Sequence, residues 1–373
     1  MIKDIYIEKI YNSRKEPTIK VILETEYGIY CGEAPSGASK SSYEVKYKPI
    51  SQINKIYQKY VNFFLNKSEN IVDKKIHQIG INKLGGNFSI ALSIAALKAR
   101  SKGNVWKFLN PNARFMPFPL GNVMGQWNKK SIQEFLVCSK EKSIEKCIKE
   151  NSEIHIEIGN YLKKKRLSKG LNYEGAWIPK FNDIKALDLL SRVTDNYNSR
   201  IGIDIAASGF YKNKKYHYQG KKYDKGDWLE FIKDLIKTYK LFYVEDPFHE
   251  NDFESFEELK RKTKCLIVGD DLIATNPDRI KKAIKKINSV IIKPNQVGTV
   301  SKTLETVKIA NKNKIKCIVS HRSGETFDTF IADLAVGINA PLIKCGIYGR
   351  ERFVKLERLI KIWDSGNFRM ARI

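Results

Sequence analysis

Apolar positions in the C-terminal two-thirds of the chain fall into short unbroken runs, and each run ends in a charged or polar cluster. In order they read IGIDIAAS, LFYVEDPF, LIVGDDL, VIIKPNQVG, IKCIVSHRSGET and PLIKCGIYGRER. An unbroken apolar run fits a parallel strand buried on both faces. A step of 41 residues leads from Asp204 to Glu245, and steps of 25, 23, 27 and 24 lead on to Asp270, Lys293, Ser320 and Lys344. One strand, one helix and two loops take up about such a step. The ladder predicts a (β/α) barrel, in which chemistry sits at the C-terminal ends of the strands.

The N-terminal third has a different rhythm. IYIEKIY, TIKVILETE and GIYCGEA alternate as strands up to about residue 46, and from Glu44 to about Lys107 the period is helical, clearest in INKIYQKYVNFFLN and NFSIALSIAALKARSKG. PNARFMPFP reads as a linker, because its prolines break helix and favour extended chain. The barrel is expected to start near Phe115, with FPLGNV and FLVCSK as strands and SIEKCIKENSEIHIEIGNYLKKKRL as one long helix or a pair. Two later helices carry end signals. NPDRIKKAIKK has an N-cap and a proline in its first turn, and NDFESFEELKRK begins acidic and ends basic. The prediction is two domains, an α+β cap over residues 1–112 and an α/β barrel over 113–373; a barrel takes about 250 residues.

The strand ends carry a particular set of groups. Asp204, Glu245 and Asp270 offer hard oxygens from three strands, which suits Mg²⁺. A lysine near a metal and other cations, such as Lys293, can lose its proton near neutral pH and act as a base. An arginine among hydroxyls, as in Ser320-His321-Arg322-Ser323, suits a phosphate or carboxylate. Taken singly, each has a plainer reading. A strand-end Asp caps a turn, Asp270-Asp271 caps a helix, Lys293 is a solvated strand end, and His321 is a hydrogen-bonded core histidine. Six such clusters at the same end of their strands fit independent capping poorly.

Nine motifs in order resemble the enolase family. They are NSRKEPT, PSGAS (Pro35 to Ser39), GGNFSIALSIAALKA, GLNYEGAWIP, IDIAASGFY, VEDPF with VGDDL, IKPNQVGT, SHRSGET and IKCGIYGRER, and they run through nearly the whole chain. The resemblance implies an enolase-type (β/α)8 barrel under an N-terminal cap, and Mg²⁺-dependent dehydration of 2-phosphoglycerate to phosphoenolpyruvate. It implies that Asp204, Glu245 and Asp270 hold the first of two Mg²⁺ ions and that Ser39 helps hold the second. Lys293 would be the base at carbon 2. Glu174 would be the acid that helps the carbon-3 hydroxyl leave, with Glu134 as its partner. Lys344 would meet the substrate carboxylate, and Arg322 and Ser323 the phosphate, with His321 at the same site. A homodimer or higher homo-oligomer is also implied. The paired carboxylates suit acid catalysis, since like charges held close keep one of them protonated; without the resemblance Glu134 and Glu174 would read as a strand end and a turn cap.

The departures from the family pattern cluster at the rim. Between Asn122 and Glu134 the chain is about four residues short of the family's NGG-SHAGG segment and contains no histidine, leaving Gln126, Trp127 or Asn128 to fill the space. Lys40-Ser41-Ser42 follows PSGAS where the family has Thr-Gly. Tyr173 replaces an acid, Ala176 and Gly209 replace Gly and Glu, and Lys20 stands where the family has an acid that pairs across the dimer. These changes leave room for a second reading, an enolase-like lyase acting on another phospho- or phosphono-hydroxy acid. A reading from another class is a non-catalytic basic binding protein.

Composition adds a strong positive balance. Lys and Arg number 67 against 41 Asp and Glu, a formal net charge of +26. There is no basic tail and no RNP-type motif, so the lysines read as a solvated surface or as steering for a small anionic substrate, with weak nucleic-acid binding as the lesser alternative. The six cysteines show no C-x-x-C and read as reduced core residues of a cytoplasmic protein. No run has the ~18 apolar residues of a membrane span.

Overall fold

The computed structural model describes residues 1–38, 40–125 and 130–373. Ser39 and Gln126, Trp127 and Asn128 therefore lie outside the described residues. The chain opens with an antiparallel sheet of β1 (Ile2–Tyr11), β2 (Pro17–Thr25) and β3 (Gly28–Glu33). Ile5, Ile19, Val21 and Leu23 are buried on one face, as alternation requires. That face meets helices α1 (Ile50–Tyr60) and α3 (Gly86–Arg100), and α2 (Val72–Ile79) packs against α3. Helix α3 is buried almost all round, and its many small residues permit this. At Gly32 a Cβ would lie 2.2 Å from Ala91 O, so β3 reaches α3 only through glycine. Lys20 pairs within the sheet with Glu8 at 3.4 Å.

Eight strands then close a barrel: β4 (Phe118–Gly125), β5 (Glu134–Ser139), β6 (Ser199–Asp204), β7 (Tyr243–Glu245), β8 (Leu266–Gly269), β9 (Ser289–Ile292), β10 (Lys316–Ser320) and β11 (Leu342–Lys344). β11 pairs with β4 and completes the ring. All neighbours are parallel except β5, which runs against both β4 and β6. The reversal matters for chemistry. Glu134 begins β5 where its counterparts end their strands, and it sits in register with Asp204. Leu120, Leu136, Tyr243, Val268, Ile291 and Ile318 fill the barrel beneath the site.

Most of the expected elements are present. FPLGNV and FLVCSK are β4 and β5, and the 144–164 segment is a single helix, α4 (Ile144–Lys164), capped by Ser143. Pro277 occupies the first turn of the helix Pro277–Ala283 behind the Asn276 cap. The long step after Asp204 holds an unanticipated three-stranded sheet, Tyr211–Lys212, Lys215–Tyr218 and Lys221–Tyr223. Asn213, Lys214, Gln219 and Gly220 take positive φ at its two turns. The sheet packs Tyr216 and Tyr218 on Trp228.

Candidate active site

A cavity of about 530 Å³ opens at the end of the barrel where Asp204, Glu245 and Lys344 finish their strands. Its lining brings together Glu134, Glu174, Asp270, Lys293, His321, Arg322, Ser323 and Lys344. Asp204 and Glu245 lie just beneath it, tied to its floor by Lys344. The lysine Nζ is 2.8 Å from Asp204 Oδ2, 2.8 Å from Glu245 Oε2 and 3.2 Å from Glu134 Oε1. Burial pulls this ammonium toward neutrality, but Asp204, Glu134 and Glu245 outweigh it and hold its pKa well above the ordinary value. One ammonium cannot offset three buried carboxylates. Burial, and then the charge of Asp204, push Glu245 up to about 8.

Lys293 leaves β9 and forms an ion pair with Asp270 Oδ2, while Asp270 Oδ1 accepts from Gln296 Nε2 at 3.0 Å. Burial raises the Asp270 carboxyl and lowers the Lys293 ammonium; their contact reverses both shifts. The next acids play a different part. Asp246 accepts the backbone N–H of Asp270 at 2.9 Å and of Asp271 at 2.7 Å. It thereby turns both residues inward. Among the described residues, Asp246, Asp270 and Asp271 form the trio of acids whose oxygens lie within 4.8 Å of one another. Asp246 has spent both oxygens on amides, so it supports that corner and is a poor ligand.

A divalent cation fits the groups present. Among the described residues, Glu245 Oε1 and Glu134 Oε2 are buried with no hydrogen-bond partner, which is costly for carboxylate oxygens unless a cation or proton meets them. Asp204, Glu245 and Asp270 would supply hard oxygens of the kind Mg²⁺ prefers.

Glu134 and Glu174 face each other across the cavity wall. Burial, then the charge of Glu174, raise Glu134 well above the usual carboxylate range. Glu174 Oε2 accepts from Asn122 Nδ2 at 3.0 Å. His321 is buried and its Nδ1 accepts the Gly346 N–H at 3.3 Å, which puts the ring proton on Nε2. Burial, and then Arg352 and Lys344, hold this imidazole neutral, far below its ordinary pKa.

The wall that carries Arg322 and Ser323 is built by the end of β10 and the N-terminal loop. Arg322 Nη2 lies 3.1 Å from both oxygens of Glu44, and its Nη1 reaches Asn295. Ser323 Oγ accepts the Ala38 N–H at 2.6 Å, and Ser36 and Gly324 exchange backbone hydrogen bonds. Ser41 and Ser42 donate to the two oxygens of Glu250 at 2.7 and 2.6 Å, and Tyr43 stacks on Arg279 at 3.6 Å. The loop thus lies against the barrel end. Lys40 places its ammonium over the Tyr47 ring, 5.5 Å from its centroid. Tyr173, in place of an acid, lines the rim and is exposed. Cys345 is buried against Arg352 O and takes no part. Among the described residues no helix is long and apolar enough to cross a membrane.

Sequence reasoning gave no site role to Asn122, Tyr243, Asp246, Asp271, Gln296, Glu44 or Gln133, whose Nε2 lies 3.5 Å from Asp204 Oδ2. Four of them adjoin a predicted residue or follow it within three positions, in QEF, VED, GDD and KPNQ. Asn122, Tyr243 and Glu44 carry no signal of their own in a single sequence.

Comparison with known proteins bears on the whole chain. A family model for the C-terminal TIM barrel domain of enolase matches residues 113–367. The protein named Enolase of Picrophilus torridus is 37% identical over 98% of this chain and 98% of its own length. The Enolase of Methanothermobacter thermautotrophicus is 36% identical over 98% and 97%, and that of Methanosphaera stadtmanae 38% over 98% and 97%. With a barrel of this topology, strand ends of this chemistry and likeness over nearly its full length, the chain belongs to the enolase family.

Proposed function

We propose that the chain is a lyase that removes water from 2-phosphoglycerate to form phosphoenolpyruvate, the activity its relatives' name denotes. The observation that carries this reading is the pairing of two buried lysines with strand-end carboxylates on one cavity floor. Lys293 lies against Asp270, and Lys344 against Asp204 and Glu245.

Asp204, Glu245 and Asp270 would hold the first Mg²⁺, and Ser39 would help hold a second. A divalent ion held there would offset the negative charge that proton loss builds up on the substrate carboxylate. Lys293 takes the proton from carbon 2. Its ammonium must first leave Asp270 and give up its proton to solvent, since only the neutral amine is a base. Lys344 balances charge on the substrate carboxylate. Burial and the charge of Glu174 raise Glu134 and favour a proton on it, next to Glu174. Glu174 delivers a proton to the departing carbon-3 hydroxyl, and Asn122 orients that carboxyl. Arg322 and Ser323 hold the phosphate, and neutral His321 donates from Nε2. Residues 1–112 act as the cap that brings the Ser36–Glu44 loop to the barrel, residues 113–373. A homodimer working in the cytoplasm completes the proposal.

The exposed Tyr173 at the rim favours a second reading, a lyase for another phospho- or phosphono-hydroxy acid. The test is Mg²⁺-dependent growth of enolpyruvate absorbance from 2-phosphoglycerate with purified protein. A rate typical of enzymes, about 1–10³ per second, supports the first reading. No turnover of 2-phosphoglycerate, with turnover of an analogue, supports the second. No turnover of either overturns both.

A further inference from the structure

Tyr243 sits two residues before Glu245 on β7, so both side chains point into the barrel. It is fully buried, and its ring stands against Gly202 of β6, where a Cβ would come within 2.9 Å of the tyrosine Cβ. Its hydroxyl donates to Glu245 Oε2. Lys344 donates to that same oxygen at 2.8 Å. Two donors therefore converge on Oε2, while Oε1 is buried and has no partner among the described residues. The carboxylate is held in one rotation by groups that touch only one of its oxygens.

We propose that Tyr243 is a positioning residue that fixes which oxygen of Glu245 is offered to the divalent cation. The inference rests on Glu245 being a metal ligand, as argued above. With Oε2 occupied, Oε1 is the ligating atom, and the carboxylate enters as a preset monodentate ligand. Without the hydroxyl, Lys344 alone would hold Oε2. That ammonium also answers to Asp204 and Glu134, so the carboxylate could turn and offer either oxygen or chelate the ion with both. A partner that orients a metal ligand commonly contributes about ten- to a hundred-fold in metal affinity. The ring also explains Gly202. A larger residue there would push Tyr243 off its line to Glu245.

The experiment is Mg²⁺ titration by calorimetry, without substrate, of the metal-stripped parent and of Tyr243→Phe. The variant keeps the ring against Gly202 and leaves Lys344 on Oε2, so its metal-free melting temperature should stay close to the parent's. The expected result is a Mg²⁺ dissociation constant raised about ten- to a hundred-fold, with KM for substrate at saturating Mg²⁺ little changed. Equal affinity in parent and variant would overturn the role of Tyr243 and leave the metal site standing. A parent that binds no Mg²⁺ would overturn both. A crystal structure of the Mg²⁺-loaded parent gives a check independent of the variant's folding. Oε1 should ligate with Tyr243 still on Oε2; an ion bound through Oε2, or a hydroxyl that has left it, would sink the proposal.

Discussion

Replacing Lys293 by Ala separates catalysis from folding and from metal binding in one variant. Loss of a general base removes about 10²–10⁴-fold of rate, which is roughly 3–5 kcal/mol of barrier. The same change deletes the cation paired with Asp270, a nearly buried carboxylate. Breaking a buried pair costs about 3–5 kcal/mol when nothing replaces the partner. Here Gln296 still donates to Asp270, and Lys344 and Arg322 still lower its pKa, so the loss should lie at or below the bottom of that range. Mg²⁺ should offset it. An ammonium that competed for Asp270 Oδ2 is gone, so Mg²⁺ should bind the variant at least as tightly as the parent. Three measurements read these effects: exchange of the carbon-2 proton of 2-phosphoglycerate in deuterated water by NMR, melting with and without Mg²⁺, and Mg²⁺ titration. Expected are exchange lost, melting lowered without metal and largely restored with it, and metal affinity kept. Exchange at the parent rate would show that another group takes the proton. Weaker Mg²⁺ binding would show that the Lys293–Asp270 pair supports the metal site rather than competing with it.

Asp204→Asn should weaken Mg²⁺ binding sharply, and a Mg²⁺-loaded crystal of the parent should place oxygens of Asp204, Glu245 and Asp270 about 2.0–2.1 Å from one ion; oxygens pointing to separate places would refute the ligand set. Asp183 is buried and accepts from Ile132 N–H and Tyr218 OH, and burial pushes its pKa from 3.8 up to about 6. The native state then holds its proton longer than the unfolded chain does, so stability from this group falls as pH rises from about 4 to about 6, by on the order of 2–3 kcal/mol. Asp183→Asn should remove that fall in denaturant melts and raise stability at pH 7; an unchanged pH profile refutes the assignment. Grafting a SHAGG-type segment between Gly125 and Ile132 should raise activity with 2-phosphoglycerate about ten- to a hundred-fold, the worth of one charged hydrogen bond of ~1–3 kcal/mol. Steady-state kinetics showing a fast parent and no gain from the graft would remove the case for an altered substrate.

What a single sequence could and could not say follows from how each residue earns its place. Asp204, Glu245, Asp270, Lys293 and Lys344 were visible because an apolar strand makes its polar end stand out, and period and spacing alone bring such ends together. Glu134 was harder, since it begins a strand that runs backwards; only the antiparallel register with Asp204 puts it on the same floor. The sheet at 211–223 was missed although its turn residues were in view, because lysine at nearly every solvent-facing position blurs the alternation of strand. Asn122, Glu44 and Tyr243 lie beyond any such reading. Asn122 and Glu44 act through contacts with residues at least 52 positions away, which leave no period, and Tyr243, two positions before Glu245 on one strand, reads as an ordinary core aromatic. The supporting groups also explain why changes at the rim can coexist with an unaltered floor. Lys344 and Lys293 are positioned by carboxylates on the barrel itself, whereas Tyr173 lines the rim and Lys40 lies over Tyr47 in the N-terminal loop. A substitution at the rim therefore changes what enters and how firmly it is held, while the proton-transfer groups keep their geometry. Divergence confined to that layer is what a family member with a shifted substrate, or a slower version of the same reaction, should show.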